Sequence, residues 1–131
     1  MDVTVIIAGI GLAALALPLV MRWRLKAHWR LDPVTARRLK RAWQEAQDHT
    51  DHRLRVLEAE KTFDILLNAW RLEGTFAKKL KQAAWRIPEA DAIWSAHRLR
   101  NRIAHEPGIR VSPQEAERAL AAYGRVITRY I

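Results

Sequence analysis

Residues 51–72 read DHRLRVLEAEKTFDILLNAWRL. Val56, Ala59, Phe63, Leu66, Leu67 and Trp70 recur at three- and four-residue intervals, the spacing of one α-helical face. The stretch predicts a long helix from about Asp51 to Leu72, ended by Gly74. Its neighbours read the same way. Asp32-Pro33 is an N-cap followed by a first helical residue, opening a helix that carries Arg37, Arg38, Lys40, Arg41 and Trp43. That helix either continues a basic stalk or packs on the domain, and the polar stretch from Gln44 to Asp51 predicts a break. Thr75 caps a shorter helix with Phe76, Leu80, Ala83 and Ala84 on its apolar side and Lys78, Lys79 and Lys81 facing out. Ile87-Pro88 separates it from a helix spanning about Pro88 to His105, which Glu106-Pro107-Gly108 stops. Ser112-Pro113-Gln114-Glu115 has the residues of a capping box, and the helix it opens runs to about Tyr130. Ala119, Leu120, Tyr123, Val126 and Ile127 form its core face. No strand alternation, glycine-rich phosphate loop or repeat is visible, so the fold class expected is all-α.

Ahead of this lies Val3 to Met21, 19 residues with no charge and one mildly polar member, Thr4. A helix of that length measures roughly 28 Å, enough for a bilayer core of about 30 Å. A cleaved signal peptide would carry its positive charge before the apolar run. Here Met1 and Asp2 precede it, while Arg22, Arg24, Lys26 and Arg30 follow it. The reading is an uncleaved single-pass anchor of the inner membrane, N-terminus outside and the bulk of the chain cytoplasmic. Trp23 and Trp29 fit the interfacial belt, and membrane lipid is the expected partner of residues 3–30. Gly9 and Ala13 have the spacing of a weak helix-packing motif.

The net charge of +9 is unevenly placed. Residues 22–41 hold eight Lys/Arg and one Asp, a net +7, whereas residues 42–131 hold 15 Lys/Arg against 12 Asp/Glu, a net +3. Topology and anionic lipid account for a juxtamembrane cluster of this kind, so the basic pI alone does not point to nucleic acid. With no cysteine there is no disulfide framework, thiolate metal site or thiol nucleophile, and no cofactor is expected. The organisation expected is an anchor over 1–21, a basic juxtamembrane stalk and helix over 22–50, and one compact helical domain over 51–131.

The chemistry-bearing run is Arg100-Asn101-Arg102-Ile103-Ala104-His105. A guanidinium can hold a phosphate bidentately and an imidazole can move a proton near neutral pH, the minimum for metal-free phosphodiester chemistry or for nucleotide binding. Ile93, Ala96, His97, Arg100, Ile103 and Ala104 share one helical stripe, so Arg100 sits in the most apolar face and requires a partner. Glu60 and Asp64, four apart beside the apolar stripe of the long helix, are the candidate carboxylates. His105 projects about 140° from Arg100 on a straight helix. Its face-mates are Arg98, Asn101 and Arg102, and Asn101 is placed to hydrogen-bond it at i, i+4. His97 reads as a satisfied core histidine. Trp43, Trp70, Trp85 and Trp94 read as packing groups, and His49 and His52 have no visible ligand set.

The longer run from Ile93 to Glu106, with its Arg-Asn-x-x-x-His core on the penultimate helix, resembles the HEPN superfamily. It is similar in particular to small bacterial HEPN-like proteins that carry an N-terminal membrane helix. The resemblance extends from about Leu54 to the C-terminus and implies a helical bundle. It also implies a site that active nucleases of the superfamily assemble across a dimer, making a homodimer through the helical domain one expected partner. Two functions follow. One is a tethered interaction module binding RNA or a nucleotide, in which Arg98, Asn101 and Arg102 bind or orient. The other is a metal-independent endoribonuclease of the toxin or defence type. There Arg100 would bind the scissile phosphate, His105 would move the proton, and Asn101 would orient the imidazole.

Overall fold

The computed structural model describes residues 16–21 and 29–131. The chain divides into two compact units, Met1–Arg30 and Leu31–Ile131. In the first, residues 16–21 are helical, with Leu17, Leu19, Val20 and Met21 exposed. Most of the expected anchor at 3–21, and the basic residues that follow it, lie outside the described residues. Among the described residues no helix is long and apolar enough to cross a membrane.

The second unit is all-helical: α1 (Pro33–Asp48), α2 (His52–Ala69), α3 (Phe76–Ala83), a 3-10 turn (Ala84–Arg86), α4 (Ala90–His105) and α5 (Pro113–Ile127). Caps fix the starts. Asp32 accepts from the backbone N–H groups of Val34 and Thr35 at 3.0 Å each, and Asp51 from that of Arg53 at 2.7 Å. Ser112 and Glu115 complete a reciprocal capping box. Each such cap satisfies N–H groups that the helix itself leaves open, worth about 1 kcal/mol. The stop of α2 comes earlier than Gly74. Arg71 adopts φ 59°, and Leu72 N–H returns to the Leu67 carbonyl at 3.2 Å. That closure normally falls to glycine, and an arginine gives no sequence signal for it.

α2 is the central helix and packs against α1, α3, α4 and α5. Its Val56, Phe63, Leu66 and Leu67 are fully buried, together with Leu39 of α1, Leu80 of α3, Ile93 of α4, and Tyr123 and Ile127 of α5. Each large apolar side chain so buried contributes about 1.5–3 kcal/mol.

Of the two alternatives for α1, packing on the domain is the one seen, because α1 belongs to the compact unit that starts at Leu31. Leu39, Trp43 and Ala46 form a buried stripe at helical spacing between the basic residues. Trp43 reaches so close to α5 that a Cβ on Gly124 would stand 2.8 Å from its ring. Glycine is needed at 124 for that approach. Lys79, expected to face out, is buried: its ammonium donates to Asp64 at 2.8 Å and to Asn68 at 2.7 Å.

Candidate functional site

α4 carries arginines on two flanks, and the flanks differ. On the side facing α2, Glu60 is the hub. Its buried carboxylate forms an ion pair with Arg100, Nε to Oε1 3.1 Å, and accepts from His97 Nδ1 at 2.9 Å and from the Tyr123 hydroxyl at 2.9 Å. Asn101 closes the ring, with its Oδ1 3.3 Å from Arg100 Nη1 and its Nδ2 3.2 Å from His97 Nε2. Donor arithmetic fixes the protons. A guanidinium only donates, so the amide oxygen of Asn101 faces Arg100 and its NH2 faces His97. His97 Nε2 is then the acceptor, which leaves the ring proton on Nδ1, directed at Glu60. Every polar atom named in the ring is satisfied by one arrangement, as a buried network requires.

Aromatic side chains wall the ring. Phe76 stacks on His97 with centroids 4.7 Å apart, and Phe63 lies 5.4 Å from Tyr123. Burial, and then the adjacent Glu60 charge, hold the Tyr123 hydroxyl well above its ordinary pKa of 10.0. It therefore stays a donor. Beyond the ring, a cleft of about 150 Å³ bounded by Glu60, Lys61, Asp64, Phe76 and Arg100 is too small for a nucleotide.

The other flank of α4 faces an open groove against α5, of about 720 Å³. Its floor is small and apolar, with Ala92, Ala96, Leu99, Ala119 and Ala122. Arg98 and Arg102 of α4 and Arg118 and Arg125 of α5 rim it, all exposed. Arg98 donates to Ser95 Oγ at 2.8 Å, and Arg102 lies 3.7 Å from Glu106. Among the described residues Arg118 and Arg125 enter no hydrogen bond or ion pair. Glu115 is the one carboxylate lining the groove. Its capping bonds to Ser112 lower its pKa first, with the charges of Arg102 and Arg118 adding to that. The groove thus presents four guanidinium groups against one carboxylate already committed to a helix cap.

The sequence-derived residues distribute as follows. Arg100 and Glu60 meet, whereas Asp64 pairs with Lys79. Asn101 binds His97 and Arg100, not His105, because the buried ring offers it both a donor and an acceptor. His105, the last residue of α4, is exposed and makes no hydrogen bond or ion pair among the described residues. Arg100 and His105 therefore share no hydrogen bond or common partner among the described residues. Arg98 and Arg102 reach the groove. Sequence reasoning missed Tyr123 as a ring member, and Arg118 and Arg125 as groove residues. The signal for the last two was present: they lie seven apart on α5, outside its apolar stripe, as Arg98 and Arg102 lie four apart on α4. Of the packing tryptophans, Trp43 and Trp70 are buried, while Trp85 is 70% exposed.

Among the described residues no group of three or more His, Cys, Asp or Glu is placed to hold a metal ion. No known protein family, curated protein or solved structure matches this chain.

Proposed function

We propose that residues 31–131 are a HEPN-like helical module that binds RNA through the α4–α5 groove without cleaving it. On this reading residues 3–21 tether the module to the cytoplasmic face of the inner membrane. The observation that carries the RNA-binding reading is the groove's rim: four exposed arginines from two helices over an apolar floor. Guanidinium groups engage phosphates bidentately and stack on bases, and an alanine-lined floor leaves room for the strand. The non-catalytic part is supported by the engagement of Arg100 with Glu60 and Asn101, and by the isolation of His105 from it. The tether is supported by the uncharged run Val3–Met21 and by the exposed apolar side chains at 17 and 19–21.

The test uses the full chain in zwitterionic nanodiscs with EDTA and a labelled single-stranded RNA. Wild type binds saturably, with log K falling as log salt rises. The double variant Arg98→Ala/Arg118→Ala binds more weakly, and its salt slope is shallower by about 0.7 for each arginine lost. An unchanged affinity and slope would overturn the groove assignment. Cleavage leaving 2′,3′-cyclic phosphate ends, abolished by His105→Ala, would overturn the non-catalytic reading and establish the endoribonuclease in its place.

A further inference from the structure

Trp85 is the one tryptophan among the described residues that stands clear of the core, at 70% exposure. It lies in the 3-10 turn that continues α3; Lys78, then Lys81 and Gln82, then Trp85 fall on one side at helical offsets of three or four and are all exposed. Arg86 holds its guanidinium carbon 5.2 Å from the indole centroid. Between residues 71 and 86 the chain carries five Lys/Arg and one acid, Glu73. Of the five, Lys79 is buried against Asp64, whereas Lys78 and Lys81 are exposed.

Tyr130 stands near this end of the bundle. Burial raises its hydroxyl pKa while the Arg86 charge opposes the shift. Its ring packs edge-on against Trp70, 5.3 Å between centroids.

We infer that the face formed by Lys78, Lys81, Trp85 and Arg86 is a contact for an anionic lipid surface. An indole with a cationic surround matches the headgroup region, where Trp concentrates at the apolar–polar boundary and Lys and Arg meet anionic headgroups. RNA stacking on Trp85 is the competing occupant. Lipid is favoured because Arg86 already covers the indole, and because an interface needs one amphipathic edge rather than a groove. The face is separate from the α4–α5 groove, since none of its four residues lines that groove. The contact would hold the bundle against the bilayer to which residues 3–21 are proposed to tether it. To that extent it rests on the proposed tether.

The chain has no cysteine, so one introduced thiol reports one place. Full-length Gln82→Cys and Gln114→Cys are spin-labelled and mixed with vesicles of phosphatidylcholine alone, or of phosphatidylglycerol and phosphatidylcholine at about 3:7. Gln114 lies in the first turn of α5, roughly 20 Å along that helix from its C-terminal end. Flotation is read first, then collision of each label with a water-soluble nickel complex. With anionic lipid, the rate at Gln82→Cys drops at least about twofold and recovers in high salt, while that at Gln114→Cys is unchanged. The same label in a Trp85→Ala/Lys81→Ala background stays water-accessible.

Flotation without protection at position 82 would overturn the lipid face and leave the tether standing. Protection at 82 together with salt-reversible flotation seen only on anionic vesicles would support the face and remove the tether. Absence of flotation on both compositions would remove both. Protection of the 82 label by single-stranded RNA in place of lipid would overturn the inference and assign the face to RNA.

Discussion

Arg98 and Arg100 stand two residues apart on α4 and meet opposite surroundings. Arg100 turns toward α2, where Glu60 and Asn101 take its donors within a ring that also engages His97 and Tyr123. Arg98 turns toward α5 and rims an open groove with three further arginines. The sequence motif draws attention to the first, while the geometry gives exposed, groove-lining charge to the second. An arginine in the middle of an apolar stripe is first of all a charge that the fold must neutralise, because an unpaired buried charge costs several kcal/mol. An arginine outside the stripe carries no such obligation. Its function is read from how many others share its surface and how few carboxylates oppose them.

The largest effect expected from this contrast is at the hub. Glu60→Ala leaves Arg100, His97 and the Tyr123 hydroxyl without their common acceptor and should cost about 3–5 kcal/mol. In a domain of this size that lowers Tm by more than about 10 °C in a thermal melt. Arg100→Ala comes next. It removes one donor pair from a partly exposed site, and about 1–3 kcal/mol of stability should be lost while RNA affinity below the melting temperature is retained. A stable Arg100→Ala protein that no longer binds RNA would reverse the roles assigned to the two flanks.

Tyr123→Phe is a smaller perturbation, about 1–2 kcal/mol for a hydrogen bond to a carboxylate. It also has a pH signature. The folded Tyr123 keeps its proton above the ordinary value of 10.0, whereas the unfolded chain releases it there. Above pH 10 the unfolded state therefore binds fewer protons, and stability falls as pH rises toward the raised folded value. Urea midpoints measured from pH 8 to 11 should fall less steeply in Tyr123→Phe than in wild type; parallel curves would place Tyr123 outside the ring.

Much of the fold is legible in the sequence, because helix periodicity and caps are local. The residues at 56, 59, 63, 66, 67 and 70 announce the central helix, and the Ser112–Glu115 box announces the start of α5 to the residue, though the helix ends at Ile127 rather than near Tyr130. What stays hidden depends on facing elements. Trp43 looks isolated in a basic stretch until Gly124 on α5 is seen to make room for it. Lys79 looks like a solvated lysine until α2 presents Asp64 and Asn68 to it. The site divides along the same line. Helical phase requires a carboxylate for Arg100 and places His105 away from it. It does not reveal that Asn101 has a better partner in His97, or that Arg118 and Arg125 line the same groove as Arg98 and Arg102.

The smallest effects on stability should come from the groove. Arg98→Ala and Arg118→Ala should each change stability by less than about 0.5 kcal/mol, because exposed arginines with weak or no partners contribute little. Each should nevertheless weaken RNA binding and flatten its salt dependence. His105→Ala should change neither the melt nor the binding curve by more than experimental scatter, unless the endoribonuclease reading is correct.

The most direct test of the division between the two flanks is the RNA-binding curve of full-length Arg100→Ala, recorded below its own melting temperature beside wild type. Overlapping curves are expected, with affinity within about twofold, from a protein that melts lower. Loss of RNA binding or of RNA cleavage in a variant that melts with wild type would contradict it, and would return Arg100 to the phosphate.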